Sequence, residues 1–321
     1  MARVAETAGM KIKILLTVVS TCFILDSALG QGALTPPGAP VPTMKTLDQL
    51  DAKLEKRTPI SAVPFTISQP GSYYLTTNVT TAFSNAIVIT ASGVTLDLGG
   101  WTIASTVPNA ANGGVAILLA NKLSDITIVN GHIRSGVTNN GSGAFFGSGF
   151  SSGIYAAGIN PVNARVSGVS VSGCLNQGIY LGSGDTTQVE SCTVRTIGDS
   201  GISATTVKNS VAADCGQTGI AGVTVSDSQG AGISGSGISA TTAQNCNSSS
   251  SGGGYGLFCT TAQNCNATSN SSYGIYAFGL VINCQGQSNS GTGITAFTAN
   301  SCRGISSTGT GLAVAHNVNS F

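Results

Sequence analysis

From Gly178 onward the chain sets short apolar clusters between glycines and small polar residues at a fixed interval. Gly-aliphatic pairs begin at Gly201, Gly219, Gly237, Gly256, Gly274, Gly293 and Gly311, in steps of 18 or 19. A second series keeps the same phase: Cys174, Cys192, Ser210, Ser228, Cys246, Cys265, Cys284 and Cys302, again 18 or 19 apart. Three residues before each of these stands Val or Ala: Val171, Val189, Val207, Val225, Ala243, Ala262, Val281 and Ala299. Two slots that hold phase over so many copies define a structural repeat.

The period selects the architecture. Helical repeats need more than about 30 residues each, and leucine-rich repeats need a leucine spacing that this chain lacks. A coil of this shorter length, with β-branched clusters and Gly, Ser or Asn between them, fits one turn of a β-solenoid, in which three short strands are joined by tight bends. Equivalent residues then stack at ~4.8 Å, so each slot becomes an internal column. Ile179, Ile202, Ile220, Ile238, Leu257, Ile275, Ile294 and Leu312 are expected to form the aliphatic one.

Upstream the coils lengthen. Strands are expected at Phe65 to Ile67, Tyr73 to Leu75, Ala86 to Ile89, Val94 to Leu98, Val115 to Leu119 and Ile126 to Ile128, with Asn130 to Ile133 turning back. The segments PFTISQPGSYYL, VTLDLGGWTI and ITIVNGHI carry a resemblance to the right-handed parallel β-helix repeat proteins of the pectate-lyase-like superfold, many of them secreted bacterial proteins. With the later repeats it covers about residues 65 to 321 and implies an all-β, right-handed parallel β-helix. It carries no activity, because that superfold hosts lyases, hydrolases, adhesins and tailspikes.

Before the repeats, Lys11 and Lys13 precede an apolar run from Ile14 to Leu25 and the small residues Ala28-Leu29-Gly30. This order reads as a signal peptide over residues 1–30, with Met10 as good a start as Met1. A membrane anchor is the alternative, but the run is short for a bilayer, and no later segment is long and apolar enough to span. Residues 31–43, with Pro36, Pro37, Pro40 and Pro42, form a linker. Leu47, Leu50 and Leu54 give residues 44–57 a helical period, read as a cap over the first coil or as a partner-binding helix. The β-helix domain is then 58–321.

A net charge of +1 and only 8% charged residues supply no basic surface for nucleic acid. Of nine cysteines, Cys22 lies in the signal segment. The Cys/Ser column reads as buried free thiols acting as small apolar groups, with a disulfide between stacked neighbours as the alternative, and Cys259 occupies a slot that holds alanine in other coils. No CxxC or HxxxH spacing suggests a metal. Asn209, Asp227, Asn245, Asn264 and Asn283, with Ser191 and Ser301, form a ladder that serves the bends. Glu190 and Lys208 are expected to pair across adjacent coils.

Candidate chemistry is sparse. Asp97 in LDLGG serves a bend, His132 is a surface or bend residue, and no acidic side chain follows Asp227. The strongest catalytic candidates are Asp185, Asp199 and Asp214, with Arg195 and Lys208, on consecutive coils beside an inserted loop at Leu181 to Thr187. The NTD, DD and GHG set of polygalacturonase-like hydrolases and the arginine-rich signature of pectate lyases are both missing, so no catalytic residue transfers. The favoured reading is a secreted or cell-surface scaffold, without cofactor or metal, that binds extracellular polysaccharide or surface components, with Tyr155, Tyr180, Tyr273 and Tyr276 as stacking candidates. The rival is a polysaccharide lyase or glycoside hydrolase at the three aspartates, and calcium enters only if it is a lyase. End-to-end self-association is a third expectation, because the last coil lacks an amphipathic cap.

Overall fold

A computed structural model describes residues 57–184 and 186–321. They form a parallel β-solenoid of about 14 turns, with a 3-10 turn at Ala110–Asn112 as the helical element among the described residues. The signal segment, the linker and the cap helix, save Arg57, lie outside the described residues.

Each short coil crosses three faces, as in Ile202–Ala204, Thr206–Lys208 and Val211–Cys215. On the first face the aliphatic column stacks as expected, Ile179 on Ile202, Ile220, Ile238, Leu257, Ile275, Ile294 and Leu312. On the second, Val189, Val207, Val225, Ala243, Ala262, Val281 and Ala299 are in register. The inward column of the third face tapers along the axis, from Val79, Ile103, Ile133, Val171 and Val194 to Ala212, Gly230, Ser248, Ala267, Gly286 and Gly304. Small residues there let the first-face isoleucines fill the interior: a Cβ on Gly230 would sit 2.6 Å from Ile238 Cγ1. A thinner core needs a shorter perimeter, which is why the later coils contract to the short repeat.

The repeated glycine has a steric cause. A Cβ on Gly201, Gly219, Gly256 or Gly274 would lie 2.5 to 2.6 Å from the carbonyl oxygen of the equivalent glycine one coil on. Between the second and third faces the bend is left-handed at Ser191, Asn209, Asp227, Asn245, Asn264, Asn283 and Ser301, with φ from 48° to 54°. Asn and Asp tolerate that region better than other side chains. Their amides continue the ladder outward, Asn245 donating to Asp227 at 2.9 Å and Asn264 to Asn245 at 3.1 Å.

Four sequence expectations need correction. Cys174 is not in the column of Cys192: the pairs Ser167 with Glu190 and Ser170 with Thr193 put Val169 there, while Cys174 stacks on Ile197 and Cys215. The inserted loop is the reason, since it makes the step from Ile179 to its partner Ile202 longer than the step from Ile202 to Ile220. For the same reason Val171 belongs to the third-face column, and Val166 is the true partner of Val189. Asn130 to Ile133 does not reverse; Ser124–Arg134 is one strand that turns a corner at Asn130, φ 59°, and runs on to the third face. Glu190 and Lys208 are register partners but form no ion pair, and the Glu190 carboxylate accepts instead from Gln188 at 3.4 Å.

The Cys/Ser slot is polar in function. The thiols of Cys192, Cys246, Cys265, Cys284 and Cys302 each donate to the carbonyl two residues back at 3.1 to 3.3 Å. Ser210 and Ser228 do the same at 2.8 and 2.7 Å. The same atoms accept from the preceding coil, Ser210 Oγ from the Cys192 N–H and Cys284 Sγ from the Cys265 N–H, both at 3.2 Å. From Cys192 onward the slot is filled by small side chains with one donor and one lone pair, which Cys and Ser supply and Ala does not; Val169, at its upstream end, makes neither bond. All eight cysteines among the described residues are free and buried.

Candidate functional site

The coils are interrupted on the third face by an antiparallel hairpin, Gly136–Asn139 with Phe145–Ser148. Its tip, Asn140-Gly141-Ser142-Gly143-Ala144, closes on side-chain oxygens. Asn139 Oδ1 accepts from the N–H groups of Gly141 and Gly143 at 2.9 and 3.2 Å, and Asn140 Oδ1 from those of Ser142 and Ala144 at 2.9 and 3.1 Å. Gly141 and Gly143 hold φ of 84° and 89°, which side chains resist. Phe145 lies across Gly198 and Gly216, where a Cβ would meet its atoms at 3.1 Å. At the base, Asn139 Nδ2 donates to Asp214 Oδ1 at 2.6 Å.

Hairpin and third face together bound a groove of about 880 Å³. Its floor follows the outward column in register, Ala231, Ser249, Thr268 and Gln287, and Asn270 and Asn289 line its edge. Asn289 donates to Asn270 at 2.6 Å, so the edge is itself a ladder. The side chains of Ser249, Thr268 and Gln287 are half-buried and make no hydrogen bond among the described residues. Three consecutive coils thus turn unused donors and acceptors toward the groove. Among the described residues, Asp214 is the one titratable side chain lining it. A second recess of about 390 Å³ on the other side of the hairpin shares Asp214 and Asn139 and adds Arg134, Ser172 and Thr196.

Of the sequence-derived candidates, Asp214 lines both recesses. Asp185 lies outside them. Asp199 sits at the corner between the third and first faces, accepting from Gln177 Nε2 at 3.1 Å and Ser200 Oγ at 3.3 Å, and lines neither recess. Arg195 is exposed on the third face, and Lys208 is exposed on the second. Burial, with the charges of Asp214 and Asp199 adding to it, pushes the Cys215 thiol up to about 12, so that sulfur is inert as a nucleophile. Asp97 serves its bend, accepting from the Gly99 N–H at 2.9 Å and pairing with Arg57 at 3.1 Å. His132 is exposed on its strand.

Sequence reasoning missed the hairpin, and with it Asn139. The signal was present as Asn139-Asn140-Gly141-Ser142-Gly143 between Val137-Thr138 and Phe145-Phe146, turn residues between two short apolar runs. It also missed the ring cluster of Tyr255, Phe258 and Phe278, which joins Tyr273 and Tyr276 on the first face with centroids 5.1 to 5.9 Å apart. Tyr155 and Tyr180 stack on each other at 5.2 Å on the same face.

No protein-family model matches this sequence, and no curated protein matches it. Two solved structures are similar to this chain. The A-module of the Azotobacter vinelandii mannuronan C-5 epimerase AlgE4 is 10% identical with a TM-score of 0.43, covering 82% of this chain and 87% of that one. The Dettilon tailspike protein gp208 is 11% identical with a TM-score of 0.43, covering 81% of this chain and 61% of that one.

Proposed function

We propose that this chain is an exported, secreted or cell-surface β-helix scaffold that binds glycan in the groove beneath the hairpin and does not cleave it. The observation that carries the reading is the run of unpartnered Ser249, Thr268 and Gln287 on consecutive coils, beside the amides of Asn270 and Asn289. A sugar chain is a regular array of hydroxyls, and a ladder of hydroxyls and amides at ~4.8 Å matches it in kind. Hydrolysis calls for two carboxylates about 5 to 10 Å apart across the bond. The described groove offers one carboxylate, with an oxygen already taken by Asn139. Export is supported by Lys11 and Lys13 ahead of the apolar run from Ile14 to Leu25.

The test uses the purified protein with acidic and neutral polysaccharides, following retention in affinity gels together with reducing ends and unsaturated products, with and without calcium. Retention without turnover is expected, weakened by Thr268→Val combined with Gln287→Ala. Turnover that disappears in Asp185→Ala, Asp199→Ala or Asp214→Ala would replace the scaffold by a lyase or hydrolase.

A further inference from the structure

The outward column of the first face changes character along the axis. It reads Tyr155, Tyr180, Ser203, Ala221, Ser239, Phe258, Tyr276 and Thr295 on successive coils. At Phe258 and Tyr276 the rings stack at 5.9 Å and 11°, one above the other. Tyr255 and Tyr273, each just before the repeated glycine, widen this stack on one side. Phe278 closes the other side, perpendicular to both Phe258 and Tyr276 at 84° and 87°. A ring perpendicular to two stacked rings lies with its plane along their stacking direction, here the solenoid axis, and Phe278 is 60% exposed. Two coils therefore assemble five aromatic rings at the surface, four of them half-buried and Phe278 exposed.

We infer that this surface, Tyr255, Phe258, Tyr273, Tyr276 and Phe278, is a second carbohydrate-binding site, one that takes uncharged sugar rings by stacking. The inference rests on the glycan reading of the chain but on none of the groove residues. An exposed apolar patch of this kind marks a contact surface. Three features choose a sugar as the occupant. The phenol hydroxyls of Tyr255, Tyr273 and Tyr276 make no hydrogen bond among the described residues, so the surface pairs apolar ring area with free polar ends, the combination that suits a sugar's C–H face and its equatorial hydroxyls. An apolar protein patch would leave those hydroxyls unsatisfied. The coil below adds a hydroxyl to this surface, Ser239 in register with Phe258. Charge fixes the class of sugar: beyond Asp227 the sequence has no acidic residue and no lysine, and its basic residues are Arg303 and His316. Neither belongs to the cluster, so nothing there answers a uronate or a sulfate.

The test is affinity electrophoresis of the purified protein in hydroxyethyl cellulose, neutral arabinoxylan and polygalacturonate. Wild-type protein, the platform variant Tyr276→Ala/Phe278→Ala and the groove variant Thr268→Val/Gln287→Ala run side by side. Retention by a neutral polymer that falls about tenfold in the platform variant, a loss near 1.4 kcal/mol, is the expected result. Tyr276→Phe, which keeps the ring, should retain most of it, and unchanged melting of Phe278→Ala alone guards against a folding defect. Retention lost in the groove variant and untouched in the platform variant overturns this inference and leaves the groove reading standing. Retention by polygalacturonate alone overturns it as well, and no retention by any polymer overturns both.

Discussion

The Asn139 side chain bridges two structures far apart in sequence: its oxygen closes the hairpin tip, and its nitrogen donates to the Asp214 carboxylate at 2.6 Å. Asp214 holds φ of 54° at a register irregularity where its strand passes Thr196, φ 56°. The hairpin is thereby anchored at one polar point over an otherwise apolar contact of Phe145 with glycines. Asn139→Ala should cost about 1.5 to 3 kcal/mol, as for a hydrogen bond to a charged partner. Hydrogen exchange should show the loss as faster exchange confined to residues 136–148. Unchanged protection there would mean that the Phe145 contact alone holds the hairpin.

Gly256→Ala should be among the most damaging single-methyl additions in the chain. The new Cβ would lie 2.5 Å from the Gly274 carbonyl oxygen and 2.6 Å from that of Thr268, both backbone atoms with no rotamer to yield. A loss of about 3 kcal/mol is expected in chemical denaturation, at the upper end of overpacking costs. Gly253→Ala is the control, because a Cβ there meets nothing within 4 Å. Equal midpoints for the two variants would refute the steric account of the repeat.

The fold was legible because stacking forces equivalence: Ile202, Ile220 and Ile238 must recur wherever the coil length is constant. Legibility failed where the coil length changed. Cys174 precedes Cys192 by one repeat length only by coincidence, while the extra residues around Gly182 to Thr187 move the true equivalent to Val169. The candidate site was less legible still, since the contact of Asn139 with Asp214 obeys no period. Asp199 and Asp214 do fall on neighbouring coils, yet they bond to different partners, Gln177 and Asn139, and sequence spacing carries no such information.

The polar reading of the Cys/Ser slot separates two conservative changes. Cys284→Ser keeps a donor for the Ile282 carbonyl and an acceptor for the Cys265 N–H, whereas Cys284→Ala leaves both without this partner. The alanine variant should be less stable than the serine variant by about 1 kcal/mol. If alanine is the more stable of the two, the slot is merely small and apolar, as its sequence first suggests.

Burial pushes the thiols of Cys174 and Cys259 up to about 12 and that of Cys192 up to about 11, with nearby thiols adding at Cys259. In the unfolded chain the same groups ionise near about 8.5. The unfolded state therefore binds fewer protons above that pH, so this contribution to stability is complete below about 8.5 and is lost as pH rises towards 11 or 12. Melting temperatures should fall steeply above pH 9. At pH 8 iodoacetamide should leave the native cysteines unmodified and label them once the chain is unfolded in urea. Rapid labelling of the native protein would show that the coils open more readily than their packing implies.

Ser248 offers a stabilising change. It is 2% exposed in a column whose register neighbours are Gly230 and Ala267, and its hydroxyl has no hydrogen-bond partner among the described residues. A buried hydroxyl without a partner carries its desolvation cost uncompensated, so removing it is favourable. The alanine methyl already fits this slot one coil on, at Ala267, which argues against a cavity penalty. Ser250 is the matched control, equally buried but donating to the Gly235 carbonyl at 2.9 Å. Ser248→Ala should gain about 1 kcal/mol, raising the melting temperature by roughly 2 to 4 °C for a domain of this size, while Ser250→Ala should lose a similar amount. The sign of the difference is the measurement: if both substitutions destabilise equally, the Ser248 hydroxyl has found a partner inside the solenoid, and an enclosed water is the group with the right size and donors to be it.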